Sequence, residues 1–200
     1  MNAETPQNLM LASLQAPPVR TVVADPQSVH AAIESRFCCR EFLADPVERE
    51  TLERILRVAS WAPSGSNNQP WKVYVVQGAS RAALSQKVRA AQDALSQDPA
   101  LADSYREPYQ YYPVEWVSPY IERRRACGFG LYGVLNIARG DRVRMNEQLL
   151  RNFDFFGAPV GIFFTNDEIL AEGALVDTAM FVQNVMLAAR AEGLHTCVQA

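Results

Sequence analysis

One stretch near the C-terminus constrains the fold most, because its apolar residues leave almost no side for solvent. Residues 175–190 read as a helix that is apolar nearly all round. Four polar side chains interrupt it, namely Asp177, Gln183, Asn184 and Arg190. Such a helix must be covered by other elements of its own chain or by another subunit. The sequence therefore predicts a helix in the core or at a subunit interface.

The rest of the chain predicts helices and strands that do not alternate regularly. A helix is expected to open at Asp45-Pro46, since Asp suits an N-cap and Pro suits the first turn. It ends before Pro63 and buries one face, formed by Leu52, Ile55, Leu56 and Ala59. Further helices are predicted at 27–36, 79–95, 119–138 and 141–152, and strands at 71–76, at 160–165 and from 195 to 199. This pattern indicates a helix-rich α+β fold.

Length and composition indicate one globular domain, over residues 27–200, preceded by a loosely ordered arm over 1–26. Apolar residues make up 48% of the 200 residues, and the net charge is −3. A net negative charge does not indicate binding to nucleic acid or to an anionic membrane surface, which both attract basic proteins. No apolar run approaches the ~20 residues that span a bilayer, and no signal peptide is recognisable. We expect a cytoplasmic protein without nucleic-acid or membrane partners.

The side chains of this protein are poorly equipped for demanding chemistry of their own. Only two histidines occur, and no HExxH, paired CxxC, GxGxxG or GxxxxGK[ST] string is present. The four cysteines follow neither a disulfide framework nor zinc-ligand spacing. An enzyme of this composition is expected to bind an organic cofactor that carries the reaction.

Two segments have residues suited to such a cofactor. Arg36 and Arg40 flank a short apolar stretch just past a helix, and each offers a planar fork of donors that fits a phosphate monoester. The alternative is that both are solvated arginines at a helix end. The loop from Pro63 to Pro70 places small residues and three amides between two tryptophans, which suits a polar planar ligand. The alternative there is a surface turn.

These segments together resemble the nitroreductase superfamily. The string AxxAPSGSNNQPW, from Ala59 to Trp71, follows an R-x-x-x-R-x-F element. The resemblance continues in order to Gly193-Leu194, through Arg123-Arg124, Gly133, Asn152-Phe153, Ala158-Pro159-Val160, Asp177 and Gln183-Asn184. Within the family, the chain is most similar to the nitrobenzoate and dinitroaniline reductase branch.

The resemblance implies an interlocked homodimer with a mixed central sheet flanked by helices and two FMN sites at the interface. It further implies hydride transfer from NADH or NADPH to small aromatic acceptors, above all nitroaromatics, in a ping-pong cycle without a catalytic side chain. The residues that match FMN-binding positions are Arg36, Phe37, Cys38, Arg40, Pro63, Ser64, Gly65, Asn67 and Gln199. The alternatives are a quinone or enone reductase, a reductive dehalogenase, or a flavin-binding protein without turnover.

The sequence departs from the family pattern at three places. Cys38 stands where Ser is common, so that a weak thiol replaces a hydroxyl donor. Val198 stands where Pro is frequent. Relatives continue beyond the position of Ala200 through a final strand and an arm, so we expect that these parts are missing from the sequence.

The stretch from Tyr105 to Tyr120 contains five tyrosines, a tryptophan and three prolines, which argues against regular structure. It aligns loosely with the variable lid over the flavin in the family. Tyr111, Tyr112 and Trp116 are therefore predicted to stack on a flat aromatic acceptor. Packing into the core is the alternative for these rings.

Overall fold

A computed structural model describes residues 28–105 and 109–199. The predicted arm over 1–26 lies outside the described residues. Six α-helices and two strands are described, with the following bounds: α1 Val29–Ser35, α2 Arg49–Ala59, β1 Lys72–Gln77, α3 Gly78–Gln97, α4 Tyr120–Val134, α5 Arg142–Leu150, β2 Val160–Thr165 and α6 Ala171–Ala191. Short 3-10 helices cover Gly65–Asn67, Pro99–Ser104, Arg151–Gly157 and Glu168–Leu170.

The core lies between α2 and α6. The predicted apolar face of α2 is confirmed, since Ile55 and Ala59 are buried against Phe181, Val185 and Ala189 of α6. Trp71, directly before β1, stacks on Phe181 with 4.7 Å between ring centroids. The prediction that α6 enters a core is therefore confirmed.

The α6 segment also meets the length and composition required to cross a membrane, over Glu168–Ala191. Its packing against α2 accounts for the apolar residues on its inner side. The other side of the helix is open, because Val176 is 64% exposed and Leu175 is 40% exposed.

The sheet in the described residues is an antiparallel pair. Strand β1 pairs with β2 in a register that joins Lys72 to Thr165 and Gln77 to Val160. Val73 and Phe164 turn towards the core cluster. The expected strand at 195–199 contributes a single parallel bridge between Cys38 and Thr196. The α+β class is confirmed. The antiparallel pair and the parallel bridge are the parts of the expected mixed sheet that the described residues form.

Two predicted helix boundaries are wrong. Helix α2 does not open at Asp45-Pro46 but at Arg49, after Glu48 in extended backbone; a residue before Pro is itself driven to extended backbone. Helix α4 ends at Val134 rather than at 138. There the Arg144 guanidinium donates to the Asn136 carbonyl at 2.7 Å and to the Leu135 carbonyl at 3.2 Å. These carbonyls are thus satisfied outside the helical pattern.

Candidate functional site

The basic element begins where α1 ends. The Arg36 backbone N–H closes the last turn on the Ala32 carbonyl at 3.2 Å. The residue before it, Ser35, is buried and accepts a hydrogen bond from Nε of the buried Arg190 at 2.9 Å. Helix α6 therefore holds the end of α1 and sets the point at which Arg36 leaves the helix.

This element runs alongside the C-terminal segment. Cys38 forms the parallel bridge with Thr196, and the Cys39 N–H donates to the Thr196 carbonyl at 3.1 Å. On the adjacent residues the rings of Phe37 and His195 lie 4.6 Å apart. The structure thus brings together two segments that are far apart in sequence and were both predicted to touch the flavin.

Further contacts anchor both segments to the 3-10 helix before β2. The Phe42 N–H donates to the Phe156 carbonyl at 3.2 Å. Gln199 Nε2 donates to the Asn152 carbonyl at 3.3 Å. The amide nitrogen of Gln199, a predicted cofactor contact, is therefore engaged with the protein itself.

The Cys38 sulfur lies among hydrogen-bond donors. A hydrogen bond from the Cys197 thiol lowers the pKa of Cys38 to about 5, and the Arg36 guanidinium and the Val198 backbone N–H act in the same direction. The same hydrogen bond raises the pKa of Cys197, and burial adds to that shift. The hydrogen bond therefore favours the thiolate form of Cys38 and the protonated form of Cys197.

The residues present fit a phosphate monoester at this place. Arg36 and Arg40 supply charged donors, and a backbone N–H already points at the Cys38 sulfur. Thr196 Oγ1 is buried and has no hydrogen-bond partner within the part of the chain that the structure describes. A buried hydroxyl of this kind calls for a ligand or a water molecule. The donor set suits an anion. A thiolate at Cys38 would compete with a bound phosphate for the Arg36 guanidinium.

The loop between α2 and β1 is held by hydrogen bonds within the loop and by one to α6. The Gly65 N–H donates to Asp177 Oδ2 of α6 at 3.0 Å. The Gln69 N–H donates to Ser64 Oγ at 3.0 Å, and Gln69 Nε2 donates to Asn67 Oδ1 at 3.0 Å. Some of the amide groups that suggested a ligand are thus hydrogen-bonded within the loop. The other polar side chains of the loop are exposed or half-buried.

Sequence reasoning missed the role of Asp177. Its carboxylate ties the loop to the core helix, and a Cβ on Gly65 would lie 3.7 Å from Oδ2. A signal was present, since Asp177 interrupts an otherwise apolar helix.

Pro63 lies over the same helix and lines an open groove of about 510 Å³. The groove is completed by Val176, Ala179, Met180, Gln183 and Asn184.

The predicted lid residues form a cluster of rings. Tyr111 and Tyr112 pack edge to face at 4.7 Å, and Tyr112 lies 5.7 Å from Trp116. Both tyrosines are more than half exposed, which argues against the alternative of core packing. The Arg124 guanidinium of α4 sits 4.8 Å from the Trp116 ring centroid. As predicted, the described part of this stretch before α4, from 109 on, is irregular.

The predicted site residues thus fall into three groups of contacts. Arg36, Phe37, Cys38 and Arg40 lie by the segment that ends with Gln199. Pro63, Ser64, Gly65 and Asn67 lie in the loop that the Gly65 N–H ties to α6. Tyr112 and Trp116 lie near Arg124 of α4, and Tyr111 packs on Tyr112.

Comparisons with known proteins identify the family of the chain. The family model described as "Nitroreductase family" matches residues 33–200. The chain belongs to the nitroreductase family. Its predicted membership and the nitroreductase fold are thereby confirmed.

Particular members of the nitroreductase family are similar over most of the chain. The 4-nitrobenzoate reductase of Pseudomonas putida is 37% identical over 169 residues, covering 84% of this chain and 70% of the relative. The structure of the FMN and NADPH-dependent nitroreductase NfnB from Sphigopyxis sp. strain HMH superposes with a TM-score of 0.77 at 35% identity, covering 85% of this chain and 74% of that one. The FMN-dependent NfnB from Mycobacterium smegmatis, solved with NADPH, gives 0.72 at 30% identity, with 84% and 72% covered.

Proposed function

We propose that this chain is an FMN-dependent oxidoreductase that takes hydride from NADH or NADPH and reduces small nitroaromatic compounds. Family membership and the named activities of the similar proteins support the proposal. The structural observation that carries it is the Cys38–Thr196 bridge. This bridge joins the basic element to the C-terminal segment, the two parts that the family resemblance assigns to one flavin.

The proposed roles follow from the chemistry of each side chain. Arg36 and Arg40 hold the phosphate and the polar edge of the flavin with charge-assisted donors. The segment ending at Gln199 presents backbone along the ring system. FMN held there would supply the hydride- and electron-transfer chemistry that the protein's own side chains lack. The protein's contribution is orientation, and no side chain is assigned as an acid or a base.

A second copy of the chain completes the proposed site, with Pro63, Ser64, Gly65 and Asn67 reaching the flavin of the partner. The described surface supports a homodimer. Trp61 is 86% exposed directly before the loop, and Val176 is 64% exposed on α6. None of the fifteen residues of α4 is buried in the single chain. Exposed apolar surface of this extent favours association. We place the enzyme in a reducing cytoplasm, where its free cysteines persist.

The test is an anaerobic titration of the purified protein reconstituted with FMN. The flavin absorbance bands should bleach on addition of NADPH or NADH and return on addition of 4-nitrobenzoate. Bound flavin that nicotinamide does not bleach would indicate a carrier rather than an enzyme. Reoxidation by quinones or enones but not by nitroaromatics would favour the alternative acceptors. Failure to bind FMN would refute the proposal.

The homodimer is tested separately by sedimentation equilibrium with and without FMN. A dimer that does not dissociate before it unfolds is expected. A folded monomer that retains FMN would contradict the assignment of the loop to the partner's site.

A further inference from the structure

Cys38 and Cys197 are brought together by backbone pairing. Cys38 bridges Thr196, the neighbour of Cys197, and the Cys39 N–H donates to the Thr196 carbonyl at 3.1 Å. Paired strands lie about 4.8 Å apart, and each residue advances the chain by about 3.3 Å. A residue and the one diagonally beyond its partner therefore have Cα atoms about 6 Å apart, inside the range of about 4.4–6.8 Å for disulfides. In a continuous strand the side chain of Cys197 would turn to the opposite face, but the bridge at Thr196 is isolated and Cys197 lies outside the paired backbone.

The two side chains also meet. The Cys197 thiol donates a hydrogen bond to the Cys38 sulfur. Cys38 is exposed and Cys197 is half-buried. A small oxidant therefore reaches Cys38 more readily than Cys197. A disulfide between the adjacent Cys38 and Cys39 would be strained, whereas the fold supplies Cys197 as a partner for Cys38.

We propose that Cys38 and Cys197 are a peroxide-sensitive thiol pair that closes to an intramolecular disulfide at the predicted phosphate-binding element. This modification site does not require flavin. It differs from the proposed reductase activity, in which no cysteine takes part.

The chemistry balances with hydrogen peroxide as the named oxidant. The Cys38 thiolate attacks one peroxide oxygen, forming an S–O bond and breaking the O–O bond, and the leaving hydroxide becomes water by taking up the proton that Cys38 released when it ionised. The Cys197 sulfur then attacks the Cys38 sulfur. The S–S bond forms, the S–O bond breaks, and the hydroxyl departs as water with the Cys197 proton. In total two thiols are oxidised, one peroxide is reduced, and two water molecules are formed. A thiol reductant reverses the bond.

The surroundings favour Cys38 as the attacked residue and Cys197 as the resolving one. The charged groups around the pair are Arg36 and Arg40, with the third thiol, Cys39, on the same segment. Arg36 and the Val198 N–H stabilise a thiolate at Cys38, and the thiolate is the form that reacts with peroxide. Cys197 remains protonated until the hydroxyl leaves.

The experiment is peptide mapping of the full-length chain. The reduced protein is treated with a small excess of hydrogen peroxide, free thiols are blocked with iodoacetamide, and the protein is digested with trypsin. Cleavage after Arg36, Arg40 and Arg190 yields the peptide 37–40 and the peptide that begins at Ala191 and contains Cys197. We expect these two peptides to be joined, and the joined species to vanish after dithiothreitol. The protein should remain a single-chain band on a non-reducing gel.

Matched variants identify the sulfurs. Cys39→Ser shares the peptide with Cys38 and Cys127→Ser removes an exposed thiol elsewhere, so both should retain the cross-link. Cys38→Ser and Cys197→Ser should lose it, with circular dichroism to establish that each is folded. A cross-link that survives in Cys38→Ser, or a bond between two chains, would overturn the proposal. So would peroxide treatment of the wild type that leaves the peptide 37–40 unjoined to the peptide that contains Cys197.

Discussion

Replacing Ser35 by Ala tests whether the buried Arg190 positions the start of the basic element. Ser35 and Arg190 are both 7% exposed, and Arg190 Nε donates to Ser35 Oγ at 2.9 Å. Without Oγ the guanidinium loses a buried acceptor, and a hydrogen bond to a charged group is worth about 1.5–3 kcal/mol. The better helix propensity of Ala returns about 0.5 kcal/mol. The net loss of about 1–2.5 kcal/mol should lower Tm by about 2–10 °C in a chain of this size.

The assay is thermal unfolding followed by circular dichroism, with Ser96→Ala as the control. Ser96 is exposed on α3, and its hydroxyl donates to the Gln92 carbonyl at 2.9 Å, as Ser35 does to the Ala31 carbonyl at 2.5 Å. The two variants therefore lose the same bond to the preceding turn and differ in the bond to arginine. Ser96→Ala should leave Tm unchanged or slightly raised. Equal Tm values for the two variants would refute the role of Arg190.

Four further outcomes are expected. Arg36→Ala should weaken FMN binding by roughly 10- to 150-fold in fluorescence titration, with partial recovery in Arg36→Lys; an unchanged Kd would place the phosphate elsewhere. Asp177→Asn should speed hydrogen exchange of the Gly65 amide by about 5- to 10-fold, since the charged acceptor is lost; equal exchange would mean that another group protects it. Trp116→Ala should raise KM for nitroaromatics roughly 2- to 13-fold through lost stacking, with bleaching by NADPH unchanged in stopped flow. Because the pKa of Cys38 is lowered to about 5, its alkylation rate at about pH 6 should already be close to that at about pH 8; a rate that keeps rising would contradict the donor cluster.

The apolar pattern predicted the packing because burial follows helical periodicity directly. Ile55 and Ala59 lie one turn apart, so any fold that uses this helix turns them to the same side. Residues 175–190 were predicted to lie in a core or at a subunit interface for a different reason, namely that they are apolar nearly all round. These predictions required no knowledge of the partner surface.

Helix boundaries were less predictable, because a local capping signal does not fix the first helical residue and a distant side chain can end a helix. The signal at Asp45-Pro46 is local and fits an N-cap, yet the helix starts only after Glu48. The end of α4 depends on Arg144, which takes the Leu135 and Asn136 carbonyls. Neither competing conformation is encoded within the helix that it shortens.

Contacts that cross the fold explain what the sequence left open at the candidate site. The bond from Arg190 to Ser35 spans 155 residues, and that from Gly65 to Asp177 spans 112. In the sequence both Asp177 and Arg190 appear only as polar interruptions of an apolar helix. In the structure each interruption secures one of the two segments predicted to bind the flavin. A core helix tolerates a buried charge where that charge is hydrogen-bonded, so the same helix encloses the core and fixes the geometry of the site.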